Sequence, residues 1–547
     1  MNNHFRCMAL RGLSLFTAAA LLTACAASQA AAPATSESTA DEAVTFMAPY
    51  LNVEAFIDKV HSIYPEVNIE IVPYSGDNTT SCIQNMIEAH DLPDICTVTV
   101  YNPMTDDMSD QLIDLAGYDF TDNYIESRLQ EVTDNGAIYL LPSVYNCYGI
   151  TYNKTLLQQN GWTVPTSFAE LEQLAEKAEA AGVALCLPQS QYPGYGFQYM
   201  CNIADADFLG TLDGKRWQKD YLSGKANVSG TPGMMQAMAY IQKWRDIGML
   251  NGDGDPTSDE ETRQRMINGD ALFLLGSTNG IVEADGTRDK FGLMPYLSED
   301  GSQNVFVLSV NRYFGLNKRL EQNPQKLADA LKVMRVLSTV EGTTALYPET
   351  KVKSSLMPFK NAKANDTYYT DIADALNFGS TAPFIYSGWE NTIVTTGNKM
   401  LDFMRGDATI DEVIAQLDAD QDKVVNNTPD LITTAAEDIP QEDCARLVGR
   451  CFAEATGSDL ALVSLGTWIS GNPTEQNHYG VSGKLYAKGL TDYDLSVILP
   501  TGWNRTIQTV TLNGSQINDL LTEGYDAYGN GKCYPYVLVS PAAVQED

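Results

Sequence analysis

Basic side chains are scarce in this chain. Its 547 residues carry 35 Lys and Arg against 70 Asp and Glu, a formal net charge of −35. Residues 1–24 hold Arg6 and Arg11 and no acid, so a chain beginning at residue 25 has 33 basic and 70 acidic residues and a charge of −37. That surface repels phosphate backbones and anionic lipid headgroups, which argues against nucleic acid or a membrane surface as partner. Histidine is rarer still, with only His4, His61, His90 and His478, few for a metalloenzyme. The cysteines at 7, 25, 82, 96, 147, 186, 201, 444, 451 and 533 form no C-x-x-C pair, so their spacing does not suggest zinc. An exported chain can form disulfides, but these spacings define no pairing. Cys444 and Cys451, seven apart in a helical pattern, are expected to pack in a core. A G-x-S-x-G elbow and a P-loop are both missing. Beyond residue 24 no apolar run is long enough to span a bilayer.

The N-terminus sets an address. Arg6 and Arg11 precede an uncharged apolar stretch, Leu13 to Leu22, too short for a membrane-spanning helix and followed by the small residues Thr23, Ala24 and Ala26. Leu22-Thr23-Ala24-Cys25 resembles the bacterial lipobox. The resemblance implies cleavage of residues 1–24 as a lipoprotein signal peptide and lipidation of Cys25, with palmitate among the attached lipids, leaving the protein on the cell membrane facing outward. Residues 25–42 are mostly Ala, Ser, Thr, Pro and Glu and read as a flexible tether.

After the tether, hydrophobic periodicity alternates between two and about four. Val44 to Met47 reads as a strand. Val53, Phe56, Ile57 and Val60 recur at helical spacing, and Pro65 ends that helix. Val67, Ile69 and Ile71 alternate as in a strand, and Leu92-Pro93-Asp94-Ile95 leads into another that ends near Val100. This alternation marks an α/β domain with a mainly parallel sheet. Ile138 to Pro142 and Tyr148 to Tyr152 read as short strands. Ser167 and Glu170 have capping-box spacing and open a helix that ends at Gly182. Residues 233–247, 321–339 and 410–426 are predicted helices. Near 426–440 the composition breaks at Asn426-Asn427-Thr428-Pro429 and Asp438-Ile439-Pro440, and a new module follows. In it, Cys444 to Ala455 is a helix, Asp459 to Leu465 a strand, Val510 to Gly514 the end of another strand, and Ile517 to Leu521 a short helix. The acidic run Asn251 to Pro256 is not a calcium loop, because Pro256 and Thr262 stand where such a loop needs Gly and Glu.

Several segments, in order, resemble the extracellular solute-binding proteins of the maltose-binding type. They are Leu92-Pro93-Asp94-Ile95 with Leu112-Ile113-Asp114-Leu115, Gly136 to Pro142, Gly149 to Lys154 with its Tyr-Asn-Lys crossing strand, Trp162 to Phe168, and Met266 to Gly276. The resemblance covers 43–427. It implies a two-lobed periplasmic-binding-protein-like α/β fold with an interlobe hinge, one lobe from about 43–149 and 306–355, the other from about 150–305 and 356–427. It also implies an ABC transporter binding protein, not an enzyme, that needs no cofactor and delivers a small solute, expected to be a carbohydrate, to permease subunits. The family's cleft positions carry over to Tyr50, Asn52, Tyr101, Asn102, Tyr145, Tyr195, Phe197, Ser277, Thr278, Asn279 and Trp389. Such residues suit sugars, whose C–H faces stack on rings and whose hydroxyls need polar partners. Ser277 and Thr278 depart from the pattern, since sugar binders often carry Trp there.

Residues 436–547 resemble the C-terminal α+β domain of 5′-nucleotidases, through Arg446 to Leu462, Leu499-Pro500 and Val510 to Gly524. In that family the domain binds the nucleoside while a separate metallophosphatase domain performs the chemistry. The catalytic domain has no counterpart here: Asn477-His478 precedes Tyr479 instead of an acid. The nucleoside pattern is also eroded: Pro500-Thr501-Gly502-Trp503-Asn504 lacks the family's stacking Phe. Two alternatives follow, a nucleotide- or nucleoside-related binding protein or hydrolase, and an adhesion or scaffolding lipoprotein whose C-terminal module docks a partner.

Overall fold

A computed structural model describes residues 42–48, 53–72, 79–98, 106–251, 259–276, 288–347, 356–362, 369, 371–378, 381–383, 389–425, 431–466, 480–481, 483–498, 507–523 and 536–540. The chain packs as two units. The first comprises residues 1–96, 319–333 and 431–547, the second 97–318 and 334–430.

In the first unit, strand Val44–Met47 lies between Ile69–Val72 and Ile95–Val98 and pairs parallel with both. Helix Glu54–Ile63 connects the first two and turns Phe56 and Val60 inward. Phe56 meets Phe46 edge-on at 5.7 Å. The Asp94 side chain, 2% exposed, explains why an acid follows Leu92-Pro93. Its carboxylate accepts hydrogen bonds from the Thr45 amide (2.9 Å) and hydroxyl (2.7 Å) and pairs with Lys326 at 2.8 Å. One buried charge thereby ties strand Val44–Met47 to helix Pro324–Leu337.

The C-terminal part of this unit has its own small core. Strands Ala461–Ser464 and Tyr536–Val539 pair antiparallel, as do Leu431–Thr434 and Gly489–Thr491. Helix Gln441–Thr456 packs through Gly449, where a Cβ would meet Val539 at 2.6 Å. Its buried face runs through Cys444, Ala445, Val448, Gly449 and Ala453. Cys444 lies at the edge of that face, so Cys451, two turns on and slightly past the edge, is exposed rather than in the core as its spacing suggested. Residues 507–513 form no strand, contrary to expectation, and Val510 is 72% exposed. Asn513 instead caps helix Gly514–Glu523: the Gln516 amide donates to Asn513 Oδ1 (3.0 Å) and the Asn513 amide to Gln516 Oε1 (2.9 Å).

The second unit is built on a mixed sheet ordered Phe291–Met294, Ile150–Asn153, Ala271–Leu275, Ala184–Pro188. Only the last two pair parallel. A smaller sheet joins Thr381–Pro383, Phe306–Val310 and Tyr145–Tyr148. Strand Tyr145–Tyr148 thus belongs to one sheet and Ile150–Asn153 to the next, with Gly149 between them. A Cβ on Gly149 would meet the Met294 carbonyl at 2.6 Å, so only glycine lets the run pass. Helix Phe168–Ala181 begins with the Ser167 hydroxyl accepting from the Glu170 amide and ends on left-handed Gly182. The expected strand over 138–142 is two short pieces, Ala137–Ile138 and Leu141–Pro142, which pair with different partners. Asp114 accepts from the Ile138 amide (2.9 Å) and its neighbour Leu115 donates to the Ile138 carbonyl. The acid of Leu-Ile-Asp-Leu, like Asp94, therefore serves the backbone. The large core of this unit surrounds Trp244, Trp389, Tyr221 and Phe197.

Candidate functional site

Among the residues singled out above, Tyr195 lies in a row of tyrosines near the ends of two strands of the second unit. Strand Ala184–Pro188 ends at Gln189, whose amide donates to the Leu275 carbonyl at 3.0 Å. Tyr192 follows in extended backbone, and Pro193 opens helix Pro193–Ala204, a position where its missing N–H costs nothing. Tyr192, Tyr195 and Tyr199 stand at i, i+3 and i+7, which aligns them on one helical face. Tyr195 is 6.0 Å from Tyr192, and Tyr195 stacks on Tyr199 at 6.2 Å with planes 12° apart. The Tyr199 hydroxyl lies 2.8 Å from the Gln189 carbonyl and 3.0 Å from that of Leu275. The ladder is thereby anchored at its buried end, while Tyr192 at the other end is 36% exposed.

Two glycines hold this helix close to helix Glu390–Arg405. A Cβ on Gly196 would meet the Gly397 carbonyl at 2.6 Å, and one on Gly397 the Pro193 carbonyl at 2.1 Å. The strand Ala271–Leu275 ends beside the ladder at Gly276, with φ +133°, and a Cβ there would meet Gln189 Oε1 at 2.0 Å. Glycine is required on both grounds.

Tyr145 sits in a separate polar cluster. Its hydroxyl donates to Glu131 Oε2 at 3.1 Å, and the Arg128 guanidinium lies 4.9 Å from the ring centroid. Arg128 is buried, pairs with Glu131 at 2.8 Å and donates to the Leu376 carbonyl. Burial, then the Glu131 charge, pushes the Tyr145 hydroxyl well above its ordinary pKa. The hydroxyl stays protonated and donates; one face of the ring belongs to Arg128.

The expected ligand residues fare unequally. Tyr195 is half-buried beside exposed Tyr192. Phe197, with 0% exposure, lies in the core 5.8 Å from Trp389. Trp389, 2% exposed, precedes helix Glu390–Arg405 and lies flat against Tyr221. These two rings have no surface to offer a solute, which corrects the expectation that they touch it directly. Tyr50, Asn52, Tyr101, Asn102, Ser277, Thr278, Asn279 and the expected lipidation site Cys25 lie outside the described residues. Sequence reasoning missed Tyr192, Arg128 and Glu131. The i, i+3, i+7 tyrosines following a strand were a legible signal for the first; nothing in the sequence linked Arg128 to a residue 17 positions on. Among the described residues no group of three His, Cys, Asp or Glu suits a metal ion, and no helix is long and apolar enough to cross a membrane.

This chain belongs to the bacterial extracellular solute-binding proteins, a family matched by residues 53–373, more than half its length. The maltodextrin-binding protein MdxE of Bacillus subtilis (strain 168) is 25% identical over 185 residues, which cover 32% of this chain and 40% of MdxE. The match therefore spans two fifths of that relative. Among solved structures, the binding protein msme of Bacillus subtilis, in an open conformation, superposes with a TM-score of 0.58 at 13% identity, over 71% of this chain and 99% of that one. Apo RafE of Streptococcus pneumoniae gives 0.54 at 16% identity, over 70% and 98%. At these identities the superpositions establish the fold: the solute-binding architecture with mixed α and β content.

Proposed function

We propose that this protein captures a sugar or oligosaccharide outside the cytoplasm and delivers it to an ABC importer. The Tyr192–Tyr195–Tyr199 ladder carries this reading, because it grades from an exposed ring to an anchored one. Flat rings of that kind suit the C–H faces of sugars. MdxE is a maltodextrin-binding protein and RafE has been solved with raffinose, which supports the same solute class. In this proposal Tyr192 and Tyr195 stack on the solute. Tyr50, Asn52, Tyr101, Asn102, Ser277, Thr278 and Asn279 supply the remaining contacts, and Phe197 and Trp389 support the ladder from the core. The Arg128–Glu131 pair holds Tyr145 in one orientation.

The lipobox-like Leu22-Thr23-Ala24-Cys25 supports a lipid anchor on Cys25, the residue 25–42 tether and a location on the outer side of the cell membrane. Two lobes, about 43–149 with 306–355 and about 150–305 with 356–427, close over the solute as rigid bodies. The 436–547 module, with its nucleotidase-like motifs, is taken as non-catalytic. A thermal-shift screen of maltooligosaccharides, raffinose, xylooligosaccharides and nucleosides tests the assignment. A saccharide at a hundred times its Kd adds about 2.7 kcal/mol of stability. A response to nucleosides alone would overturn the sugar reading.

A further inference from the structure

The C-terminal segment makes a charged seam with helix Thr79–Glu88 inside the first unit. Lys488 Nζ lies 2.7 Å from Glu88 Oε2, 2.8 Å from Asn85 Oδ1 and 3.2 Å from Asp494 Oδ1. Lys484 Nζ reaches Asp91 Oδ2 at 2.9 Å and Asp438 Oδ2 at 3.6 Å, and lies 4.6 Å from the Tyr486 ring centroid. The Tyr486 hydroxyl donates to the same Asp91 oxygen at 3.0 Å. Asn85, Asp494 and Tyr486 are buried. The seam leaves a cleft of about 400 Å³, lined by Glu88, Asp91, Asp438, Lys484, Tyr486 and Lys488. Both lysines are already paired with acids of the chain, so neither stands ready to receive an anionic ligand.

The backbone beneath the seam is strained. Helix Thr79–Glu88 ends with His90 in the left-handed region, φ +53°. The His90 amide donates to the Ile87 carbonyl and the Asp91 amide to that of Met86. This is a helix terminus that ordinarily takes glycine. A non-glycine residue held there costs on the order of 1 kcal/mol and persists where its surroundings over-determine it. Asp91, the next residue, is the one that Lys484 and Tyr486 grip. Three residues further, Asp94 is held from the other side by Thr45 and Lys326.

We propose that the C-terminal segment is a brace: by holding Asp91 through Lys484 and Tyr486, and Glu88 through Lys488, it fixes the strained turn that feeds strand Ile95–Val98. The segment that begins as a separate module in the sequence is thus a working part of the first α/β unit. Its partner surface is the C-terminal end of helix Thr79–Glu88.

Hydrogen exchange on the full-length chain tests this without any ligand. Lys484→Met should speed exchange in peptides covering 79–98 roughly ten-fold, the loss of one charge-assisted tie, while peptides of the second unit stay unchanged. In a His90→Gly background the strain is gone, and the same substitution should speed exchange in 79–98 much less. Should Lys484→Met fold poorly, wild-type protein taken from low salt to 1 M salt should show the same local acceleration, because salt screens partly exposed pairs. Unchanged exchange in 79–98 on both substitution and salt would overturn the brace. So would an equal effect of Lys484→Met with and without His90→Gly.

Discussion

Trp389 lies flat on Tyr221, ring centroids 4.5 Å apart and planes 8° from parallel. The stack fixes the start of helix Glu390–Arg405 against the tyrosine whose hydroxyl donates to the Leu417 carbonyl at 2.8 Å. Helices far apart in sequence thereby share one core.

Trp389→Ala should cost roughly 3–5 kcal/mol, the range for truncating a buried aromatic. Trp389→Phe should cost about 1–2 kcal/mol, since the indole nitrogen has no hydrogen-bond partner among the described residues and its loss leaves none unpaired. Thermal melts of the two variants check this, with the Phe variant retaining solute binding.

Asp94 gives a pH dependence of defined sign. Burial opposes its charge, yet the hydrogen bonds from Lys326 and Thr45 outweigh burial and hold the carboxyl below its ordinary pKa. A lowered folded-state pKa contributes stability above the unfolded value, about 3.9, that is lost as pH falls through the folded one. Asp94→Asn should therefore melt well below wild type from neutral pH down to about 4, a deficit on the order of 2–3 kcal/mol. Below that pH the two melting curves should converge.

Asp205 has the opposite sign. It is buried in a π-helical turn, Asp205–Leu209, and its Oδ2 has no hydrogen-bond partner among the described residues. Burial raises its pKa well above the usual carboxylate range, outweighing the opposing charge of Lys215. For a raised pKa, stability is full below the unfolded value and is lost as pH rises through the folded one. Asp205→Asn, which carries no charge, should melt above wild type at pH 7, and the gap should close towards pH 4. Differential scanning calorimetry at the two pH values measures it.

Periodicity made the strand–helix alternation legible because buried faces repeat at fixed intervals: Phe56 and Val60 turned inward, and Ser167 and Gly182 bound their helix as their chemistry requires. Motif acids were legible as a family pattern but not as structure; Asp94 and Asp114 proved to be backbone ties. Ring positions were the hardest to read. Phe197 and Tyr195, two residues apart on one helix, point respectively into the core and towards its edge, and composition cannot separate them. The seam of Lys484, Tyr486 and Lys488 with Glu88 and Asp91 spans about 400 residues of sequence, a pairing that no local pattern encodes.

The central claim is that the tyrosine ladder receives a saccharide. Isothermal titration of the full-length protein with each saccharide of the panel, repeated with Tyr192→Ala and Tyr195→Ala, tests it most directly. Wild type should bind at least one saccharide, and each truncation should weaken that affinity roughly ten-fold, about the value of one aromatic contact, with little change in melting temperature for exposed Tyr192. Affinity unchanged in both variants, or no heat with any saccharide, would contradict the account.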